Sequence, residues 1–190
     1  MRIKEGDKKE AIFNATLKLI TTRGFHATPM SLIAEEAGVA AGTIYLYFEN
    51  KEDLLNQLYL SLKQEYSKAL MAGYSPELPV RIAFELVWRN SLNYQLQYLL
   101  EFSFMEQFKN SPLIEKVTLQ EGWKFFQSAS ELIDRAREEK IIKDIPADLL
   151  VALFFAPITE LVKQHLYSQI ELSEAYITTA FQGCWDAIKN

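Results

Sequence analysis

The chain of 190 residues holds one cysteine, Cys184, two histidines, His26 and His165, and seven glycines. A lone thiol excludes an intrachain disulfide, and two imidazoles far apart in sequence offer no spacing for a metal cluster. No glycine loop of the phosphate-cradling kind occurs, nor a Ser-His-Asp set, nor a Glu-x-x-His ligand pair. Glu101, Glu106, Glu115 and Glu160 are scattered, and Glu101, Phe104 and Phe108 merely share a helix face. Neither catalysis nor a cofactor nor a bound metal is expected. The longest apolar stretches are broken by charges short of a membrane span, and the first residues, MRIKEGDKKE, lack the apolar core of a signal peptide. A cytoplasmic protein with no membrane partner is the expectation.

Excess positive charge is also missing. The net charge is −5, which at first argues against a nucleic-acid partner, because phosphate affinity rests largely on lysine and arginine. Its distribution softens the objection: residues 1–63 carry eight basic and eight acidic side chains, and residues 64–190 carry twelve and seventeen. The acidity belongs to the second part. Arg2, Lys4, Lys8 and Lys9 suit an arm against a DNA backbone as well as a solvated terminus, and weak nonspecific binding with a modest salt dependence is expected.

What the chain does have is apolar content, 49% hydrophobic and 13% aromatic, enough to bury a substantial core. Apolar residues recur at helical spacing, no strand-like alternation appears, and breakers follow in order: Gly24, Gly73, Pro76, Pro79, Asn110-Ser111-Pro112 and Asp144-Ile145-Pro146. This predicts an all-α chain of about nine helices. The first runs over about 7–23, with Ile12, Phe13, Thr16, Leu17 and Ile20 on one face. A long fourth helix, about 51–72, is suited to transmit movement. Later helices run to about 91, over about 112–140, to about 168, and over 173–189. A division into residues 1–50 and residues 51–190 follows.

Residues 28–54, TPMSLIAEEAGVAAGTIYLYFENKEDL, are the most informative stretch. Two short helices cross closely only where a small residue meets an apolar one, and Ala34 and Ile44 are so spaced around Gly38, where the chain must reverse. Met30, Ile33, Ala37 and Val39 add apolar contacts, and Thr28-Pro29 reads as an N-cap and first helical residue. The second helix, about 41–48, is too short to stand alone and must be held out by its domain, as a recognition helix in a major groove requires. An ordinary αα-hairpin would share the corner. Gly42, Thr43, Tyr45 and Tyr47, however, are an odd choice for a packed helix, and Gly42 suggests close approach to something such as phosphate. Lys51, after an Asn50 cap, lies where exposed N–H groups favour an anion.

From Lys8 to Leu58 the chain resembles the tetracycline-repressor (TetR) family of bacterial transcriptional regulators. The resemblance is sharpest at Ile33-Ala34, Ala37-Gly38-Val39, Gly42-Thr43, Tyr45-Leu46-Tyr47-Phe48 and Lys51-Glu52. It implies a homodimer whose N-terminal helix-turn-helix binds double-stranded, palindromic operator DNA, and whose C-terminal domain binds a small effector that weakens DNA binding. It also implies that Thr43, Tyr45 and Tyr47 touch DNA and Lys51 a phosphate. The candidate DNA-facing set is Thr28, Ala41, Gly42, Thr43, Tyr45, Tyr47 and Lys51. Unlike many relatives, the chain has Ala40 in place of a serine cap, and its recognition helix has no lysine or arginine. A rival reading keeps the fold but replaces the effector with a protein partner.

The middle helices are rich in rings, which pack poorly without gaps, and an apolar cavity with a few polar groups is the usual form of a small-molecule site. Tyr66, Phe84, Trp88, Tyr98, Phe102, Trp123, Phe126, Ser130 and Thr159 are the candidate contacts for a hydrophobic effector. The segment from Leu149 to Ile158 is apolar almost all round, and the final helix carries a small-residue stripe, so both suit a partner surface. Leu153, Phe154, Leu161, Ile177, Ala180, Phe181, Cys184, Trp185 and Ile188 are the candidate dimer residues, with Cys184 as packing.

Overall fold

The computed structural model describes residues 5–190; Arg2 and Lys4 of the suggested arm lie outside the described residues. Ten helices occur among these: α1 (Glu5–Arg23), α2 (Met30–Glu36), α3 (Ala41–Ile44), α4 (Lys51–Leu70), α5 (Val80–Gln97), α6 (Leu99–Phe108), α7 (Lys116–Lys124), α8 (Gln127–Glu138), α9 (Ala147–Ser168) and α10 (Glu174–Ile188). The stretch expected as one helix over 112–140 is two, α7 and α8, parted at Phe125-Phe126, and the helix expected to stop near 91 continues to Gln97.

These residues form two compact units. The first takes the chain up to Gln64 together with Tyr98–Lys124, the second Glu65–Gln97 together with Phe125–Asn190. This differs from a single cut after residue 50, because α6 and α7 complete the first unit. Asn56 explains part of that: its amide donates to the carbonyls of Glu52 (2.9 Å) and Leu113 (3.1 Å), while its oxygen accepts from the Glu115 N–H (3.1 Å). A buried amide so fully used pins the 109–115 segment to α4.

Two apolar clusters fill the first unit, and α1 serves both. Ile12, Ala15 and Leu19 face Met30, Ile33, Ala34, Ile44, Phe48 and Leu54. Leu17 and Ile20 face Leu55, Leu58, Tyr59, Leu62, Phe104 and Phe108. Phe104 and Phe108 are fully buried here, stacked on each other at 5.3 Å and close to Phe25 and Tyr59. Lys63 lies with its ammonium 5.6 Å from the ring centres of Tyr59 and Trp123.

In the second unit an aromatic core joins α5, α9 and α10. Phe84 packs edge-on to Phe154 (5.3 Å) and Trp185 (5.5 Å), and Trp88 packs edge-on to Phe181 (5.8 Å). The Trp88 indole donates to the Phe154 carbonyl at 3.1 Å, so its one polar group is satisfied. By length and composition alone α9 is apolar enough to cross a membrane. Leu150, Phe154, Ile158, Leu161 and Val162 are its buried face, as in the core helix of a globular domain.

Candidate nucleic-acid interface

The turn after α2 is built by backbone hydrogen bonds. Gly38, at φ 67°, donates to the Glu35 carbonyl (3.0 Å), and Val39 donates to the Ala34 carbonyl (2.9 Å). This is the paired bonding of a Schellman motif with an apolar residue just beyond it. Ala34 and Ile44 are both buried in the same cluster, as the spacing around Gly38 predicts.

The helix α3 spans only four residues, and its next turn is tightened by N–H donations from Leu46 to Thr43 (3.1 Å) and from Tyr47 and Phe48 to Ile44 (3.2 and 3.1 Å). Ile44 and Phe48, four apart and fully buried, are the anchors. Phe48 meets Phe13 at 5.6 Å, and the Lys9 ammonium lies over both rings while donating to Gln57 Oε1 at 2.9 Å. Lys9 thus binds the unit's own side chains rather than forming part of an arm. With the anchors fixed, helical geometry turns the intervening residues outward: Tyr45 is 58% exposed and Leu46 82%. Ala41 and Gly42 are exposed beside them, with Thr43 and Tyr47 half-buried at the edge.

Two candidates behave differently. Thr28 is fully buried, its hydroxyl donating to the Gly24 carbonyl at 2.8 Å. It also makes no cap: Pro29 holds the N-cap position of α2 without a side-chain bond. The hydroxyl instead serves the freed carbonyls at the end of α1, so Thr28 is removed from the DNA-facing set. Lys51 is half-buried and its ammonium donates to the Phe25 carbonyl, while partial burial lowers its pKa below the ordinary lysine value. The cap ahead of it is as expected: Asn50 Oδ1 accepts from the Asp53 N–H (2.9 Å), and Asp53 Oδ2 accepts from the Glu49 N–H (2.9 Å). Leu46, not among the candidates, is exposed as well, which follows from the anchors on either side of it, Ile44 and Phe48.

The effector candidates divide between the units. Tyr98, Phe102 and Trp123 belong to the first, and the other six to the second. Phe84 and Trp88 are core, sealed by Phe154, Phe181 and Trp185, and are withdrawn as ligand contacts. Ser130 is exposed on α8 and Thr159 half-buried on α9. What does come together is Tyr66 with Phe126 (5.8 Å) and with two residues not foreseen, Tyr94 (5.2 Å) and Ser91, whose Oγ lies 2.6 Å from the Tyr66 hydroxyl. Gln95, also unforeseen, donates to Ser91 Oγ (3.2 Å), and its buried Oε1 has no hydrogen-bond partner among the described residues. Burial raises the pKa of the Tyr66 hydroxyl, keeping it protonated.

The dimer candidates need the same sorting. Phe154, Phe181, Cys184, Trp185 and Ile188 are buried inside the second unit and leave no surface for a partner; burial also raises the pKa of the Cys184 thiol. Leu153 is exposed and Ile177 and Ala180 are half-buried. Leu161 lines a groove of about 550 Å³ with Ser173, Ala175, Tyr176, Thr179 and Ala180.

Comparison with known proteins gives two family matches. Residues 12–58 match the model of bacterial regulatory proteins, tetR family, and residues 79–189 that of the tetracyclin repressor-like C-terminal domain. A TetR family transcription regulator from Marinobacter aquaeolei superposes with a TM-score of 0.92 at 26% identity, covering 100% of both chains. An HTH-type transcriptional regulator of Haemophilus influenzae is 24% identical over 100% of both chains. A fatty acid metabolism regulator protein of Bacillus subtilis is 52% identical over 48 residues, 25% of each chain.

Proposed function

Because the chain belongs to the tetR family of bacterial regulatory proteins, and so is a DNA-binding transcription regulator and not an enzyme, we propose that it is a repressor released from a palindromic operator by a small hydrophobic effector. The observation that carries the DNA reading is the outward display of Tyr45 and Leu46 by a short helix whose other side is locked by Ile44 and Phe48. Thr43, Tyr45 and Tyr47 offer hydroxyls to base edges and phosphates, and exposed Ala41 and Gly42 allow close backbone approach.

The protein acts as a homodimer, and α9 and α10 supply the surface. Leu149, 46% exposed, and Leu153 leave an apolar face on α9, and Tyr176, Thr179, Ala180, Gly183 and Ala187 form an outward stripe on α10 that permits close crossing. A two-fold pairing buries these faces and the groove beside them, and sets two copies of α3 roughly 34–36 Å apart for successive major grooves. The effector binds near Tyr66, Phe126 and Gln95, where buried polar atoms sit among rings. By preferring a state with another spacing of the two α3 helices, it lowers operator occupancy by no more than its differential affinity. A cytoplasmic location follows from the DNA partner.

Selection of bound fragments from random duplex DNA, followed by a release assay with hydrophobic compounds on the recovered duplex, tests this reading. A palindromic fragment released by at least one compound is expected. An asymmetric fragment, or one that no compound releases, contradicts the dimer or the effector part respectively.

A further inference from the structure

We propose that Leu46 is a specificity-determining residue that packs on thymine methyl groups in the major groove, so that each half of the operator carries thymine beneath α3. The proposal rests on the DNA reading above and names what this element recognises. Leu46 is 82% exposed, more than any other large hydrophobic residue described. A single exposed leucine is ordinary on a protein surface; what decides here is what surrounds it.

Ile44 and Phe48 are buried to within about 1% on the opposite side, so no rotation of the helix can tuck Leu46 away without exposing them. From Ala40 to Asn50 there is no lysine, arginine or glutamine. The one asparagine, Asn50, has its oxygen engaged by the Asp53 N–H. The bidentate pairings that single out guanine or adenine are therefore unavailable to this element. What it presents is Thr43, Tyr45 and Tyr47, whose hydroxyls bond to many partners, the small Ala41, the Glu49 carboxylate, which can accept from a cytosine amino group, and one isobutyl group.

In the major groove the C5 methyl of thymine is the apolar feature of the base edges. Leucine pressed on that methyl takes both groups out of water, whereas over cytosine or guanine it would desolvate an amino group or a carbonyl without compensation. The same side chain thus favours thymine and penalises the alternatives. Leu46 N–H donates to Thr43 O at 3.1 Å, so the residue extends from a hydrogen-bonded turn and loses little backbone freedom on contact.

The test uses the full chain and a duplex of about 30 base pairs recovered by selection from random DNA made with thymine. The recovered duplex is resynthesised with deoxyuridine at every thymine, which removes the methyl groups and keeps all base-pairing and groove hydrogen-bond atoms. The wild type is expected to bind the uracil duplex roughly tenfold more weakly, about threefold for each half-site. Leu46→Ala should bind the two duplexes within about twofold, and Leu46→Met should keep most of the uracil penalty. Equal wild-type binding to both duplexes overturns the proposal, as does a full uracil penalty in Leu46→Ala. Undiminished affinity of Leu46→Ala for the thymine duplex also overturns it and turns attention to a protein partner for the exposed leucine. Recovery of no duplex at all defeats the DNA reading beneath it, a failure distinct from these.

Discussion

Gly38 sits at φ 67° with nothing within 4 Å of where a Cβ would stand. Space is therefore not the constraint; the left-handed backbone is. Gly38→Ala should cost about 1 kcal/mol or somewhat more through backbone strain alone, measured as a lower denaturation midpoint at unchanged slope. This position was legible in the sequence because the need for positive φ is local. The fate of Thr28 was not: its cap-like spacing before α2 is a local signal, while the Gly24 carbonyl that takes its hydroxyl is set by how α1 ends. Lys63 was invisible as anything but a surface lysine. Burial, with a smaller repulsion from Lys109 partly offset by Glu106, lowers its pKa to about 8. Between pH 8 and the unfolded value of 10.5 the unfolded chain holds a proton that the folded one has released, so this group makes stability rise with pH across that window. Tyr59, raised to about 12 chiefly by burial, acts in the opposite sense above its ordinary value of 10.0. Lys63→Met, which keeps the packed stem, should therefore be more stable than the wild type at pH 7, and the gap should narrow as denaturation is repeated up to pH 10. A gap that stays constant would contradict this.

Among the elements, α3 is the instructive case. Four residues cannot hold a helix in water, and α3 persists because Ile44 and Phe48 bring it into a cluster supplied mainly by α1 and α2. Helical periodicity shows which residues share a face; it does not show which helix that face meets. Phe84 and Trp88 were therefore read as ligand contacts and proved to be core of the second unit. On the final helix the apolar residues read as a partner surface, Phe181, Cys184 and Trp185, turn inward, while Gly183 is exposed and Ala180 and Ala187 are half-buried. A sequence can mark a residue as hidden without telling a neighbouring helix from a second subunit. Trp88, fully buried with its indole bonded to Phe154, gives the element-scale prediction. Trp88→Ala should cost about 3–5 kcal/mol in chemical denaturation, with the operator contacts of α3 untouched wherever the variant still folds. A loss under about 1 kcal/mol would show that the aromatic core is not a load shared by α5, α9 and α10.

For the whole molecule, the proposed function requires two copies. Gly183 is exposed on α10, and a Cβ there would meet nothing within 4 Å, so a large charged side chain can be placed on the outward stripe without disturbing the core. Gly183→Arg should sediment as a monomer at micromolar concentration with unchanged helical circular dichroism, and should lose most of its operator affinity because one half-site alone remains. A variant that stays dimeric would move the interface elsewhere. The all-α organisation and the helix-turn-helix were legible because short-range spacing specifies both. The division of the middle helices between two units was not, since it depends on tertiary contacts such as those of Asn56.

The central claim is that the outward side of α3 and its following turn reads duplex DNA. Tyr45, 58% exposed, contributes little to folding and can be removed cleanly. The affinity of the wild type and of Tyr45→Ala for a selected duplex, each taken as a ratio to that for a scrambled one at the same salt, measures the claim directly. The account predicts that Tyr45→Ala keeps its fold and loses roughly tenfold or more of that ratio; an unchanged ratio would contradict it.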